Sequence, residues 1–464
     1  MLTFTGLSKA AYQKNSFDLL LKLEGSTKRA YLDTVMSPAP TIGIGFNLRY
    51  SLEPVLKAMM GSDWSAALQT RIKSVIDLTY SSVQTDLLNS RLDRVMADWS
   101  TAHGATVPKT FGFSSDTQIK TALIAISPRY DAIIDGWLSG IPTSSERAVL
   151  FSMAYNAPSL LGPKLKAALL EGDRAEAWYE IRYNSNGSGQ AGIANRRYVE
   201  AEQFKLFSAD TTATTAEALD AGLMYAAHRD KILAYEARFD ADAAGRIKAF
   251  AGIDAIYREY SPAIAQLKAA YGIPKAMILE ETQVASSTLR NLAGDGTAHD
   301  SSLNDADLLV GSSHANTLSG GQGSDALIGL GGNDKLNGGS GNDWLCGGSG
   351  TDTLTGGTGN DIFVFRSVSE IGLSARDRIT DFEPGRDRID LSAIDANGAF
   401  AGHSFTPLGT KAFTGHAGEL RWFTATRDGK AATIVEGDIN GDGTADFRLT
   451  LDDKHKLTSG DFLL

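Results

Sequence analysis

From residue 320 to 364 the chain repeats every nine residues, with units starting at Gly320, Gly329, Gly338, Gly347 and Gly356. Asp holds position six of every unit (Asp325, Asp334, Asp343, Asp352 and Asp361), and a large apolar residue holds position eight (Leu327, Leu336, Leu345, Leu354 and Phe363). A flexible Gly-rich linker has no reason to keep Asp and Leu in phase over five units, so the segment is a folded repeat. Degenerate units start at 302 and 311, as terminal repeats do. The glycines let each turn reach left-handed backbone angles and aim carbonyl oxygens inward, and the Asp adds a hard carboxylate. Together they form the oxygen-rich shell that Ca²⁺ prefers, while a short strand buries the position-eight side chain.

This block resembles the repeats-in-toxin (RTX) parallel β-roll. In that architecture one coil takes two repeats, which would pair Asp325 with Asp343, Asp334 with Asp352, and Asp343 with Asp361 around several structural calcium ions. Without calcium the clustered carboxylates repel and the short strands bury too little to hold together, so the roll is expected to fold only when loaded. Asp377 to Gly385 and Asp387 to Leu391 look like the capping segment that follows such rolls in proteins exported by one-step (type I) secretion. The end, Asp461-Phe462-Leu463-Leu464, resembles the tail those exporters recognise. The resemblance implies the type I secretion machinery as a partner and an extracellular destination.

Composition agrees with that expectation. Residues 301–464 carry 13 Lys+Arg against 23 Asp+Glu, nearly all of the chain's net charge of −11, which favours bound cations there and argues against nucleic acid as a partner. No signal peptide is visible, since Leu19-Leu20-Leu21 is too short and is followed by Lys22, and no transmembrane segment of about 18 apolar residues occurs. Cys346 is the only cysteine, so intramolecular disulfides are excluded and stability outside a cell needs another source. A further cation site is suggested at Asp438, Asn440, Asp442 and Asp446, which follow the spacing of an EF-hand loop with Gly443 at its sharp turn. Leu449 stands where that loop needs a bidentate Glu, and a polar turn between strands is the alternative.

The amino-terminal region carries different chemistry. Ser16 to Gly25 reads as a helix with a serine cap and a glycine stop, placing Glu24 in the last turn, where the carbonyl end of the helix dipole favours a protonated carboxyl. Tyr31-Leu32-Asp33-Thr34 follows, and the β-branched, glycine-rich run Thr41 to Gly45 reads as a strand or hairpin edge, so two carboxylates can face each other across a cleft. Spacing alone also fits ordinary surface residues. The wording resembles the phage-type lysozymes (glycoside hydrolase family 24), with Glu-Gly, then Tyr-x-Asp, then Thr-Ile-Gly-Ile-Gly. That resemblance implies Glu24 as general acid, Asp33 as the carboxylate that positions water, and Thr41 as its supporting hydroxyl. Glu146 to Asn156 looks like the family's central buried helix, and Gly192-Ile193-Ala194-Asn195-Arg196-Arg197 resembles its late signature, which implies supporting roles for Asn195 and Arg196, the latter as ion-pair partner of Glu24. The likeness covers residues 10 to 207 and is weakest between 50 and 145. Seven residues separate Asp33 from Thr41 where the family has about five, and Phe46 replaces a His.

These readings give a multidomain chain: an α+β, mostly helical lysozyme-like domain at 1–210, a helical domain or linker region at 211–300, an all-β parallel β-roll at 301–365, and a β-rich cap with secretion signal at 366–464. The phrase from Gly272 through Glu280 and Glu281 to Thr282 faintly resembles the helix preceding the catalytic Glu of lytic transglycosylases, but solvated helix-end glutamates account for it better. The expected function is hydrolysis of the β-1,4 bond between N-acetylmuramic acid and N-acetylglucosamine in peptidoglycan by a secreted, inverting enzyme with carboxyl groups about 6.5 to 9.5 Å apart. The rival expectation is a non-catalytic peptidoglycan-binding or adhesive protein that keeps the fold for recognition.

Overall fold

The computed structural model describes residues 2–33, 39–104, 106–185, 191–209, 212–241, 253–273, 297–299, 308–311, 313–373, 377–396, 403–427 and 429–464. The chain divides into two compact units, Met1–Lys205 and Leu206–Leu464.

The first unit opens with the helix Lys9–Glu24. Its cap is Ser8, whose Oγ accepts from the Ala11 amide at 3.2 Å, and not Ser16, which lies buried in mid-helix with its hydroxyl donating to the Tyr12 carbonyl at 3.0 Å. Both serines have capping chemistry; burial of Tyr12 along with Phe17 and Leu20 carries the helix a further two turns upstream. The helix stops after Glu24 because Gly25 turns to φ +67°. A three-stranded antiparallel sheet follows, Thr27–Asp33, Ala39–Gly43 and Phe46–Asn47, in sequential order. Residues 48–137 then form the helices Leu48–Met60, Ala66–Ile76, Thr85–His103 and Asp116–Trp137.

At the centre lies the helix Ser145–Asn156, buried from Glu146 to Ala154. Its two charges are tolerated because each is paired: Glu146 with Arg174 at 2.8 Å, and Arg147 with Asp131 at 3.2 Å and Asp135 at 2.8 Å. The helix Ala191–Phe204 packs against it and carries Asn195 and Arg196.

In the second unit the helices Thr215–Ala241 and Ile253–Tyr271 pack on each other. Arg366 lies 4.9 Å from the ring centre of Tyr271, so the described part of the middle segment folds with the roll and not as a separate body. Glu280 and Glu281 fall outside the described residues.

The roll consists of two parallel sheets whose strands recur every 18 residues. One aligns Leu318, Leu336 and Leu354, the other Leu309, Leu327, Leu345 and Phe363, and all of these side chains are buried. Two nine-residue units therefore make one coil. The expected border at 365 is not a border in the fold. The first ladder continues through Ile379 to Leu451 and the second through Ile389 to Phe462, within one apolar core running from Leu309 to Phe462. The antiparallel strands Glu419–Arg427, Lys430–Asp438 and Phe447–Asp452 extend the first sheet. The terminal residues are built into this layer, with Asp461 buried and Phe462 stacked on Trp422 at 5.1 Å. Among the described residues no helix is long and apolar enough to cross a membrane.

Candidate active site and calcium ladder

In the first unit Glu24 sits on the last turn of its helix and is ion-paired through Oε1 to Nη1 of Arg196, 172 residues away. The Glu24 side chain is 31% exposed and that of Arg196 9%, so the carboxyl can meet a substrate while its partner stays inside. Asp33 and Thr41 lie on the neighbouring hairpin. Its register sets Tyr31 opposite Thr41 and Asp33 opposite Ala39, and directly opposed residues of an antiparallel pair share a face. Tyr31, Asp33 and Thr41 therefore line one side of the hairpin, while Leu32 and Ile42 bury the other. Thr41 is itself nearly enclosed, and its hydroxyl donates to the Ala39 carbonyl at 3.0 Å. Thr34 falls outside the described residues.

The hairpin is tied down from both ends. Arg29 forks onto Asp93 at 2.9 and 2.6 Å, and Thr85 and Asn89 bond the backbone at Leu32 and Ala30. Gly43 adopts φ +71°, and a Cβ there would press on the Phe46 and Phe113 rings, so this turn requires glycine. On the far side Tyr155 of the central helix donates to the Ile44 carbonyl at 3.2 Å.

The electrostatics join these parts into one site. The Tyr31 hydroxyl is raised to about 12, first by burial and then by the charges of Asp33 and Glu24. Tyr155 is raised well above its ordinary value by burial, then by Tyr130, Glu24 and Tyr31, with Arg196 opposing. Both phenols thus stay neutral donors at neutral pH. Behind Arg196, Ser152 and the fully buried Glu200 complete a network that the sequence reading missed. The signal was available as Arg196 and Glu200 at helical i, i+4 spacing. Asn195 is half-buried, with its Oδ1 enclosed and without a hydrogen-bond partner.

In the roll each repeat Asp bonds the coil before it. The amides of Asp325, Asp334 and Asp343 donate to Oδ1 of Asp343, Asp352 and Asp361 at 2.8 to 2.9 Å. The pairs inferred from the repeat are therefore neighbours in space. The same bond continues from Asp352 to Asp377 and from Asp361 to Asp387, at 2.8 and 3.0 Å, adding two ladder members that the nine-residue period does not reach. Their trace in the sequence is the shared Asp-Arg-Ile, which keeps Asp two residues before an apolar side chain.

The second oxygens decide whether a cation fits. Oδ2 of Asp334, Asp343, Asp352, Asp361 and Asp377 is buried with no hydrogen-bond partner, an arrangement that is costly for an anion alone. Burial pushes these carboxyls up to about 6 (Asp334, Asp361), about 7 (Asp343, Asp352) and about 8 (Asp377). An added Cβ at Gly329 would collide with both Asp334 Oδ2 and the Gly347 carbonyl, so side-chain and main-chain oxygens converge there. Among the described residues no group of three or more His, Cys, Asp or Glu side chains gathers to hold a metal, so a shell here is one of carbonyls plus single carboxylates. Such a shell suits a hard cation such as Ca²⁺.

The loop from Asp438 to Asp446 is held by side-chain-to-backbone bonds. It joins two antiparallel strands, with Asp438 accepting from Gly441 and Gly443 amides at 2.7 and 2.8 Å, Asn440 accepting from Asp442 at 2.8 Å, Asp442 from Thr444 at 2.8 Å, and Asp446 from Ile439 at 2.7 Å.

Comparison with known proteins bears on the second unit. Residues 311–464 match the family model for the Peptidase M10 serralysin C terminal. Over 90 residues the chain is 46% identical to metalloprotease AprA of Pseudomonas entomophila (strain L48) and 41% identical to metallopeptidase AprA of Pseudomonas marginalis. Each match covers 19% of this chain and only 17% of the relative. Two solved subunits of the Azotobacter vinelandii mannuronan C5-epimerase, AlgE6R3 and AlgE6R2, align at 27% and 28% identity, covering 34% and 33% of this chain and 77% and 91% of theirs, with TM-scores of 0.18 and 0.21. Residues 311–464 are thus a serralysin-type C-terminal domain with calcium-binding RTX repeats, of the kind associated with type I secretion.

Proposed function

We propose that the protein is a secreted muramidase, cleaving the β-1,4 bond between N-acetylmuramic acid and N-acetylglucosamine in peptidoglycan, carried by a calcium-folded export domain. The observation that carries this reading is Glu24, exposed at a helix end, held by buried Arg196 and acting together with Asp33 on Tyr31 of the hairpin face that also bears Thr41. Glu24 protonates the leaving oxygen. Asp33 activates a water on the opposite face of the sugar, giving inversion at the anomeric carbon. Thr41 uses its proton on Ala39, which leaves its oxygen lone pairs free to accept from that water. Tyr31, neutral and on the same face, supplies a donor to a sugar hydroxyl or to Asp33.

In the second unit the buried Oδ2 atoms and glycine carbonyls hold calcium, which supplies the positive charge that lets the carboxylates stay ionised inside the fold. Export then couples to folding, since the roll closes where calcium is plentiful.

The test is release of reducing ends from peptidoglycan by the calcium-loaded protein beside Glu24→Gln. A general acid contributes about 10²–10⁴-fold, so the variant should be slowed by that order. Equal release from both removes Glu24 from the mechanism, and binding without release by the unaltered protein favours the recognition module instead.

A further inference from the structure

Arg196 reaches Glu24 with only one of its three nitrogens. Its Nε donates to Glu200 Oε1 at 3.2 Å, and its Nη2 donates to the carbonyl and hydroxyl of Ser152 at 3.1 and 3.0 Å. The Ser152 hydroxyl in turn donates to Glu200 Oε1 at 2.6 Å, and Glu200 Oε2 takes Nη1 of Arg197. Glu200 is fully buried, as is Arg197. This is more than an orienting bracket, because two guanidinium charges stand behind Glu24 and Glu200 is the carboxylate bonded to both.

We propose that Glu200 is a positioning residue for the acid Glu24, fixing the edge that Arg196 presents and supplying the anion that offsets the two guanidinium charges behind Glu24. Without Glu200, an unrelieved Arg196 would hold Glu24 ionised, and an ionised Glu24 cannot protonate a leaving oxygen. The charged and titratable groups placed around Glu24 include Tyr31 from the hairpin, on which Asp33 and Glu24 both act, Tyr155 from the central helix, and Lys22 from the last turn of its own helix. Lys22 is paired with Glu202 at 3.0 Å, and the phenols are neutral, so Glu200 is the counter-charge that a single substitution can remove without touching the cleft.

The activity readout rests on the muramidase reading, so a second readout is independent of it. The full calcium-loaded chain is prepared as Glu200→Gln and as Arg197→Gln, with folding checked by circular dichroism. The pH–rate profile on peptidoglycan is measured for each. The Glu24 carboxyl carbon is titrated by NMR in Glu-labelled protein, identified by its loss in Glu24→Gln. In Glu200→Gln the alkaline limb and the Glu24 titration should both move to lower pH by about half a unit or more. In Arg197→Gln, which removes a cation instead, both should move the opposite way, a reversal that a purely structural role would not produce. If only one variant folds, its direction alone decides. Activity with an unmoved titration and profile overturns the proposal and leaves the muramidase reading standing. A titration that moves in a protein that cleaves nothing supports the Glu200 link and sinks the muramidase reading.

Discussion

The acid site of the first unit and the ladder of the second both bury carboxylates, yet they satisfy them in opposite ways. Behind Glu24 and Arg196, the buried Glu200 is matched by Arg196, Arg197 and Ser152, so the protein supplies its own counter-charge. In the ladder, Asp343 and Asp352 each have one oxygen bonded to an amide and one buried with no partner. One site is complete as folded and the other is complete only with a cation. The difference follows from chain economy: the cleft draws its groups from positions far apart, whereas the ladder repeats one Asp and a few glycines on every coil.

Removing calcium should break the comparison most visibly. At neutral pH chelation is expected to abolish the β signal of the roll while hydrogen exchange in residues 145–185 and 191–205 stays protected. A circular dichroism spectrum indifferent to chelation would count against the ladder as a cation site. The extended ladder also predicts that protection at residues 377–390 and 447–463 is lost along with the repeats, because they share one core.

Protons should act on the two states of the roll with opposite signs. In the calcium-free fold these carboxyls are raised to between about 6 and about 8, above their unfolded value near 4. The folded form then binds more protons, so its stability is greatest below about pH 4 and is lost as pH rises through 6 to 8. With calcium the carboxylates must be ionised, and acidification weakens binding. Urea midpoints for the roll should therefore rise toward acid in chelator and fall toward acid in calcium; parallel slopes would contradict this.

In the cleft the corresponding break is internal. Arg196→Met strips Glu200 of one of its two cations and Glu24 of its partner, and breaking a buried pair costs about 3–5 kcal/mol. Denaturation followed by exchange in residues 145–185 and 191–205 measures it, and calcium should not restore the loss.

What the sequence disclosed follows the same division. The ladder was legible because its rule is local: period nine, Asp at six and an apolar side chain at eight determine coil, register and core. It ceased to be legible where the spacing between bonded aspartates changes from 18 to 25 and 26, at Asp377 and Asp387. The cleft was legible only in pieces. Gly25 marks the helix end beneath Glu24, but no local pattern links Glu24 to Arg196, and that pairing came through family likeness. Glu200 escaped because an Arg and a Glu four apart on a helix are ordinarily solvent-exposed.

The smallest effect tests how the first helix is anchored. Ser8 and Ser16 offer the same hydroxyl, and only the fold distinguishes them: Ser8 accepts the Ala11 amide, whereas Ser16 donates back to Tyr12 within the helix. Ser8→Ala should cost about 1 kcal/mol, the usual loss of a cap. The upstream turn that it caps holds Tyr12, which donates to Asp131 at 2.6 Å and meets the Phe151 ring edge-on at 6.5 Å. Loss of the cap should therefore raise exchange at residues 9–12 before it reaches Glu24 sixteen positions on from Ser8, whose end of the helix is held separately by Gly25 and Arg196. If Ser8→Ala instead loosened the Glu24 end first, the two ends of the helix would not be independently anchored.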